Sequence, residues 1–143
     1  GCILHKVFSK IRTSDDVDGV LLQLEQDGLL YDEKFNKERI VSLLRKRLTH
    51  PKVAEWFATG NTLYNECTIL YVNPDTGKVE EQRPDRVIMN GDSITVVDFK
   101  FGHPRDSYYD QVRGYMQLLS SMGHKNVKGY LWFVYSNEVK EVI

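Results

Sequence analysis

Apolar residues recur with the spacing of amphipathic helices over residues 1–60. Four such stretches are present, and polar residues, glycine or proline stand where each helix should begin or end. Ser14 and Asn36 are residue types that cap helix N-termini, and Gly28 stands just past the second stretch. The pair His50-Pro51 places proline at the first position of a short fourth helix. This part of the chain is therefore predicted to be mainly helical.

After Gly60-Asn61 the period of the apolar residues changes from about 3.6 to about 2, which predicts strands. Turn-forming residues separate the first three of these strands. The predicted strands cover 62–72, 78–89, 93–100 and 127–135, and a helix covers 108–121. Helices, a three-strand meander, a helix and a last strand together predict an α/β domain, with a central mixed β-sheet flanked by helices. At this length we expect one domain, with residues 1–60 helical and residues 61–143 holding the sheet.

The composition, 41% hydrophobic and 27% charged, is ordinary for a globular protein. No apolar run approaches the roughly 20 residues of a membrane-spanning helix, so no membrane partner is expected. Two cysteines, Cys2 and Cys67, are too few for a four-cysteine site, which excludes an iron–sulfur cluster of that type. Without a disulfide framework, we expect a cytoplasmic location. The net charge of −1 means that nucleic-acid binding would depend on local patches, a metal or a larger partner.

Polar residues interrupt the predicted strands at positions that bring them together. Asp98 and Lys100 are two residues apart in one strand, so they project from the same face. A two-residue turn at Gly91-Asp92 would place Asp85 directly opposite Asp98. A turn at Asn90-Gly91 would leave the two acids as diagonal neighbours on that face. Both arrangements bring two carboxylates and one ammonium together.

A third carboxylate joins them if the first hairpin has a four-residue loop, Pro74–Gly77, which puts Glu66 opposite Asp85. Like charges this close repel each other, and their burial adds a desolvation cost. Mg²⁺ or Mn²⁺ would remove both problems, because these cations prefer hard carboxylate oxygens. The cation would also neutralise charge that develops on a phosphate. The alternative interpretation of Asp98 and Lys100 is an exposed ion pair without function.

Two segments, Arg83-Pro84-Asp85-Arg86-Val87 and Val97-Asp98-Phe99-Lys100-Phe101-Gly102, resemble the paired signature of the PD-(D/E)xK nuclease superfamily. More specifically, they resemble the RecB/AddA-type nuclease domain at the C-terminus of UvrD-like helicases. Three other motifs of that family have counterparts here, namely a Gly-x-x-x-His pattern at Gly1 and His5, a first-strand acid at Glu66, and a Gln-x-x-x-Tyr helix at Gln111 and Tyr115. The resemblance covers nearly the whole chain and implies a restriction-endonuclease-like core with an N-terminal helical region.

The resemblance implies a metal-dependent deoxyribonuclease, expected to act as an exonuclease in DNA recombination and double-strand-break repair. Asp85, Asp98 and the backbone carbonyl of Phe99 are then the ligands of Mg²⁺ or Mn²⁺. His5 completes the metal site or lies beside it, and Glu66 holds water or the metal. The implied products are a 5′-phosphate and a 3′-hydroxyl.

In this scheme Lys100 orients or activates the attacking water, and Gln111 and Tyr115 contact DNA or active-site groups. The expected partners are single-stranded or unwound duplex DNA, the helicase motor domain of the same polypeptide and a second nuclease subunit. No Gly-x-x-x-x-Gly-Lys-Ser/Thr loop occurs, so the chain is interpreted as a nuclease module of a larger helicase–nuclease. Two alternatives stay open: a catalytically silent DNA-binding or helicase-bracing module of the same fold, and a nuclease that acts on RNA.

Overall fold

The computed structural model describes residues 3–28, 37–58, 62–65 and 68–143, with side chains at 7–28, 41–58, 63 and 68–143. The chain divides into two compact units, Gly1–Gly60 and Asn61–Ile143. This division falls where the apolar period changes in the sequence.

The first unit is helical, as its periodicity predicts. Its helices are α1 (Ile3–Lys10), a 3₁₀ turn (Ser14–Asp16), α2 (Val17–Gln26), α3 (Lys37–Leu48) and α4 (Pro51–Trp56). Apolar side chains at helical spacing are buried along these helices, for example Val7, Phe8, Leu21, Leu24 and Leu44. Burial of these stripes stabilises helices that are too short to persist alone.

The helix ends agree with the sequence in two places and differ in one. His50 Nδ1 accepts a hydrogen bond from the N–H of Lys52 at 3.1 Å, which confirms the predicted cap of α4. Gly28 follows α2 with a φ of 77°. The prediction that Ser14 caps α2 is wrong, because Ser14 begins the 3₁₀ turn and Asp16 is the residue that precedes α2. The predicted cap at Asn36 lies outside the described residues.

The second unit is a mixed β-sheet with one long helix. Its elements are β1 (Thr62–Asn65), β2 (Ile69–Val72), β3 (Val79–Gln82), β4 (Arg86–Asn90), β5 (Ser93–Lys100), α5 (Asp106–Ser121), β6 (Asn126–Phe133) and β7 (Glu138–Val142). The main sheet has the order β1-β4-β5-β6-β7, in which only β5 and β6 are parallel. Helix α5 forms the crossover between these two strands, as parallel pairing requires. The predicted α/β class and mixed sheet are confirmed.

The three-strand meander is wrong in its details. Each of the two long strands predicted at 62–72 and 78–89 is divided in two, so that β2 and β3 form a separate two-stranded ladder. Pro84 lies at the break in the second of them, and a proline has no N–H to donate to a ladder. The sequence interpretation also missed β7, which pairs with β6.

Helix α5 packs on the face of the sheet that carries the candidate site. Ile94, Val96 and Val87 of the sheet are buried against Tyr115 and Leu119 of the helix. Strand alternation puts Asp98 on the same face as Ile94 and Val96.

Gly129 of β6 lets α5 lie close to the sheet. A Cβ at this position would lie 2.6 Å from Val112 Cγ1 and 2.5 Å from Met116 Sδ. Both are side-chain atoms of α5, so a Cβ at position 129 would require the side chains of Val112 and Met116, or the helix, to shift. None of the helices in the described ranges has the length and apolar content needed to cross a bilayer.

Candidate active site

The β4–β5 hairpin sets the position of the two aspartates. Gly91-Asp92 forms its two-residue turn, and Gly91 has the positive φ of 59° expected at the first turn position. The ladder pairs every residue of β4 with β5. One step beyond its last pair, the same register puts Asp85 opposite Asp98. The first of the two arrangements predicted from the sequence is therefore confirmed.

Each of the two aspartate carboxylates accepts a backbone N–H from the opposite strand segment. Asp98 Oδ1 accepts the N–H of Asp85 at 3.2 Å, and Asp85 Oδ2 accepts the N–H of Phe99 at 2.8 Å. These bonds take the place of the backbone ladder just past Pro84, where the pairing of β4 with β5 ends. One oxygen of each carboxylate is thus fixed by a backbone N–H.

The carbonyl of Phe99 is directed to the same side as these carboxylates. In a strand, the N–H and C=O of one residue point to the same edge, and those of the next residue point to the opposite edge. The Phe99 N–H donates to Asp85 on the β4 side. Consistently, the Lys100 carbonyl accepts the N–H of Val134 from the β6 side, at 3.0 Å. The Phe99 carbonyl therefore points to the same edge of β5 as the N–H that binds Asp85.

The ammonium of Lys100 is held by groups on both the strand and the helix. Its Nζ lies 3.3 Å from Asp98 Oδ2 and donates to Gln111 Oε1 at 2.9 Å. It also lies 4.5 Å from the centre of the Tyr108 ring, within the range of a cation–π interaction. The side chain is 18% exposed. The alternative interpretation, in which Asp98 and Lys100 form an exposed ion pair, is therefore wrong about exposure. Asp98 is buried and Lys100 is mostly buried.

Asp98 carries a charge that its surroundings oppose. Its burial raises the pKa of the carboxyl to about 6, and the negative charge of Asp85 adds to that rise. The ammonium of Lys100 and the N–H of Asp85 lower the pKa but do not outweigh the burial. The residue is 2% exposed, so water screens little of this repulsion. Additional positive charge would stabilise the ionised carboxylate.

Tyr115 connects α5 to the segment that precedes Asp85. Its hydroxyl donates to the carbonyl of Arg83 at 3.4 Å, and Gln111 also bonds to it. Burial, followed by the charges of Asp98 and Asp85, raises the pKa of the Tyr115 hydroxyl, so it remains a protonated donor. Gln111 and Tyr115 thus touch active-site groups, which is one of the two roles predicted for them. Direct contact of either residue with DNA stays a prediction.

The arrangement fits a hard cation as far as the described residues reach. Two carboxylates with insufficient countercharge, together with a backbone carbonyl, are the ligand types that Mg²⁺ and Mn²⁺ accept. Within the part of the chain that has described side chains, no three His, Cys, Asp or Glu residues are grouped closely enough to hold a metal. The other two predicted site residues, His5 and Glu66, have side chains outside that part.

The loop length used to place Glu66 is nevertheless confirmed. The N–H of Asn73 donates to the carbonyl of Lys78 at 2.9 Å, which closes a four-residue turn. The β2–β3 ladder next to this turn pairs Ile69 with Gln82, and the β1–β4 ladder pairs Asn65 with Arg86. Both ladders therefore have the register that the four-residue turn sets. The position of Glu66 itself stays a prediction.

Tyr108 is the site residue that sequence reasoning missed. Its ring lies beside the Lys100 ammonium, and its spacing to Gln111 and Tyr115, three and then four residues, puts all three on one helical face. That spacing was present in the sequence. Whether that helical face lies against Lys100 depends on where α5 crosses β5, which the sequence pattern does not specify.

Comparison with protein-family models found no match to this chain, and comparison with curated proteins found none either.

Proposed function

We propose that the chain carries a Mg²⁺- or Mn²⁺-dependent nuclease that hydrolyses phosphodiester bonds in DNA. The observation that carries this proposal is the pair of carboxylates held side by side by the N–H groups of Asp85 and Phe99, with the Lys100 ammonium 3.3 Å from Asp98. A purely structural ion pair would need only one of the two acids. The mixed sheet with a helix across one face supports the finer assignment to a restriction-endonuclease-like fold, which the sequence resemblance implies.

In this proposal Asp85, Asp98 and the Phe99 carbonyl hold the metal, with His5 and Glu66 completing the site. When bound, the metal supplies positive charge for the phosphate and its attacking water. The backbone bonds of the two aspartates keep their carboxylates in place before substrate arrives. Such preorganisation lowers the reorganisation needed during the reaction.

Lys100 is proposed to hold the attacking water and to stabilise negative charge on the phosphorus centre. An ammonium has three donors, and among the described residues Asp98 and Gln111 take two of them. The third is then available to a water or a phosphate oxygen. Water attacks phosphorus in line, the bond from phosphorus to the 3′ oxygen breaks, and the products are a 5′-phosphate and a 3′-hydroxyl. The expected biological setting is a helicase–nuclease in DNA recombination and repair.

Cleavage assays with single-stranded DNA, duplex DNA and RNA, each with Mg²⁺ or Mn²⁺, test this proposal. Asp98→Ala and Lys100→Ala should each abolish metal-dependent cleavage of single-stranded DNA while circular dichroism shows an intact fold. Asp92→Asn is the matched control, because it removes one exposed carboxylate from the hairpin turn. Full activity in either alanine variant would refute the assignment. Binding without cleavage in the parent would favour the silent module, and cleavage of RNA alone would favour the ribonuclease.

A further inference from the structure

An aromatic groove begins where the strands that carry the candidate site end. Phe101 directly follows Lys100, the last residue of β5, and Tyr135 follows two residues after Phe133, the last residue of β6. Phe133 pairs with Lys100 in the parallel ladder. The N–H of Val134 also donates to the Lys100 carbonyl at 3.0 Å. Both aromatic residues are therefore tied to the segment that carries the ammonium.

The groove presents a flat aromatic face to solvent. The rings of Phe101 and Tyr135 pack edge to face, with their centres 5.7 Å apart and their planes at 70°. Tyr135 is 56% exposed although it is a large apolar ring. The groove has a volume of about 420 Å³, within the roughly 300–1,000 Å³ of small-molecule sites. Its lining includes Phe101, His103, Pro104, Phe133, Tyr135 and Glu138.

The charges near the groove favour a nucleic acid over an apolar ligand. His103 and Arg105 are exposed on the loop that leaves β5, and the ammonium of Lys100 lies just before that loop. Two acidic residues are also nearby: Glu138 lines the groove, and Asp106 directly follows Arg105. Aromatic rings beside basic groups are the combination that binds single strands, because bases stack on the rings while phosphates are attracted to the charges. In a duplex the base faces are already covered by their neighbours, so a solvent-exposed ring such as that of Tyr135 favours an unpaired base.

We propose that Phe101 and Tyr135 form a stacking site for an unpaired nucleobase, adjacent to the phosphodiester held at Asp85, Asp98 and Lys100. The inference rests on the proposed function and adds to it the place where a base next to the cleaved phosphodiester would stack. Phe133, which lines the groove, pairs with Lys100 in the parallel ladder, and neighbouring strands lie about 4.8 Å apart. The groove therefore begins beside the end of the strand that carries Lys100. Stacking next to the site would hold the strand so that its phosphate meets the ammonium.

Binding measured without cleavage tests the groove directly. Fluorescence anisotropy in EDTA, on an Asp98→Asn background, would compare a labelled oligodeoxythymidine with an oligonucleotide of the same length that lacks bases. The Asn background removes one negative charge near the phosphate and prevents turnover. The variants are Tyr135→Ala, Tyr135→Phe, which keeps the ring, and Leu70→Ala. Leu70 is the control because it is 65% exposed on β2 and does not line the groove.

Tyr135→Ala should weaken binding of oligodeoxythymidine by about 5- to 150-fold, the range for losing one stacked base. It should leave binding of the abasic oligonucleotide unchanged, while Tyr135→Phe and Leu70→Ala bind as the parent does. Equal affinity of the parent for the two oligonucleotides would overturn the proposal, as would absence of binding to either. If Tyr135→Ala lowers the melting temperature, Tyr135→Leu keeps apolar bulk in the β6–β7 turn without a ring and should show the same selective loss.

Cleavage then separates this inference from the proposed function. With Asp98 restored and Mg²⁺ added, Tyr135→Ala should raise KM for single-stranded DNA more than it lowers kcat. If no nucleic acid is cleaved but binding still depends on Tyr135 and on the bases, the nuclease proposal fails and the stacking site stands. If cleavage occurs and Tyr135→Ala matches the parent in both assays, the stacking site fails and the nuclease proposal stands.

Discussion

The replacement of Asp98 by asparagine should stabilise the metal-free protein at neutral pH. Asparagine has the shape of aspartate, and its Oδ1 can still accept the N–H of Asp85, which Asp98 Oδ1 accepts at 3.2 Å. The change removes a buried negative charge that lies beside the charge of Asp85. A structural ion pair predicts the opposite result, because loss of one partner would leave Lys100 without its counterion.

The size of the expected gain in the free energy of unfolding follows from the raised pKa of Asp98. Asp98 has its pKa raised from 3.8 to about 6, a difference of about two units. At about 1.4 kcal/mol per unit, folding disfavours the ionised carboxylate by about 3 kcal/mol. The side chain is 3% exposed, so this figure needs little discount for solvent screening. The asparagine NH₂ would face the Lys100 ammonium as a second donor, which reduces the expected gain to about 1–2 kcal/mol.

The stability difference between Asp98→Asn and the parent should depend on pH, with a sign that follows from the raised pKa of Asp98. Because the folded pKa lies above the unfolded one, the native state binds more protons than the unfolded state between about pH 4 and pH 6. The stability that protonated Asp98 contributes is therefore fully present below about pH 4 and is lost as the pH rises through about 6. The asparagine variant does not titrate at this position. At the acidic end the parent carboxyl is also neutral, so only the NH₂ penalty remains and the variant should be about 1–2 kcal/mol less stable than the parent. The difference should rise by about 3 kcal/mol through this window, become a gain of about 1–2 kcal/mol and stay constant above it.

Urea unfolding in EDTA at a series of pH values measures this difference. Asp92→Asn, in the exposed hairpin turn, should differ little from the parent across the same range. A loss of several kcal/mol in Asp98→Asn at neutral pH would refute the reasoning and make Asp98 a structural salt-bridge residue. A gain that does not change with pH would also contradict it, since the effect would then not come from the charge.

Three further predictions concern the metal, the helix and the packing of the helix on the sheet. Mg²⁺ or Mn²⁺ should raise the melting temperature of the parent, measured by calorimetry, by mass action and leave that of Asp98→Asn unchanged. Equal rises in the melting temperature of both proteins would show that the ion binds elsewhere. Gln111→Ala removes an acceptor that lies 2.9 Å from the Lys100 ammonium. The kcat for DNA cleavage should therefore fall about tenfold with little change in KM. An unchanged kcat would show that Gln111 does not position the ammonium. Gly129→Ala should cost about 1–3 kcal/mol in urea unfolding, because its Cβ would meet Val112 Cγ1 at 2.6 Å. A neutral substitution would mean that the Val112 and Met116 side chains, or α5 itself, can shift without loss.

The local parts of the site were predictable because they depend on neighbours in the sequence. Asp98 and Lys100 share a face since side chains alternate in a strand. The glycine at position 91 supplies the positive φ of a two-residue turn, and that turn alone sets the register that puts Asp85 opposite Asp98. The change from helices to strands near residue 60 was predictable for the same reason, because periodicity reports the local backbone.

The tertiary structure decided the remaining features. The division of the first hairpin near Pro84 and the addition of β7 depend on which strands find partners in the sheet. The raised pKa of Asp98 depends on how deeply the folded chain buries it, and water access is not a property of a sequence pattern.

The partners of Lys100 are the clearest case. The sequence by itself determined that Lys100 stands beside Asp98 on one face of β5, and that Tyr108, Gln111 and Tyr115 share one face of a helix. That these faces meet, with Gln111 2.9 Å from the ammonium, follows only from the packing of α5 across the sheet. Close contact at Gly129 allows that packing, and such contacts join residues that are distant in the chain.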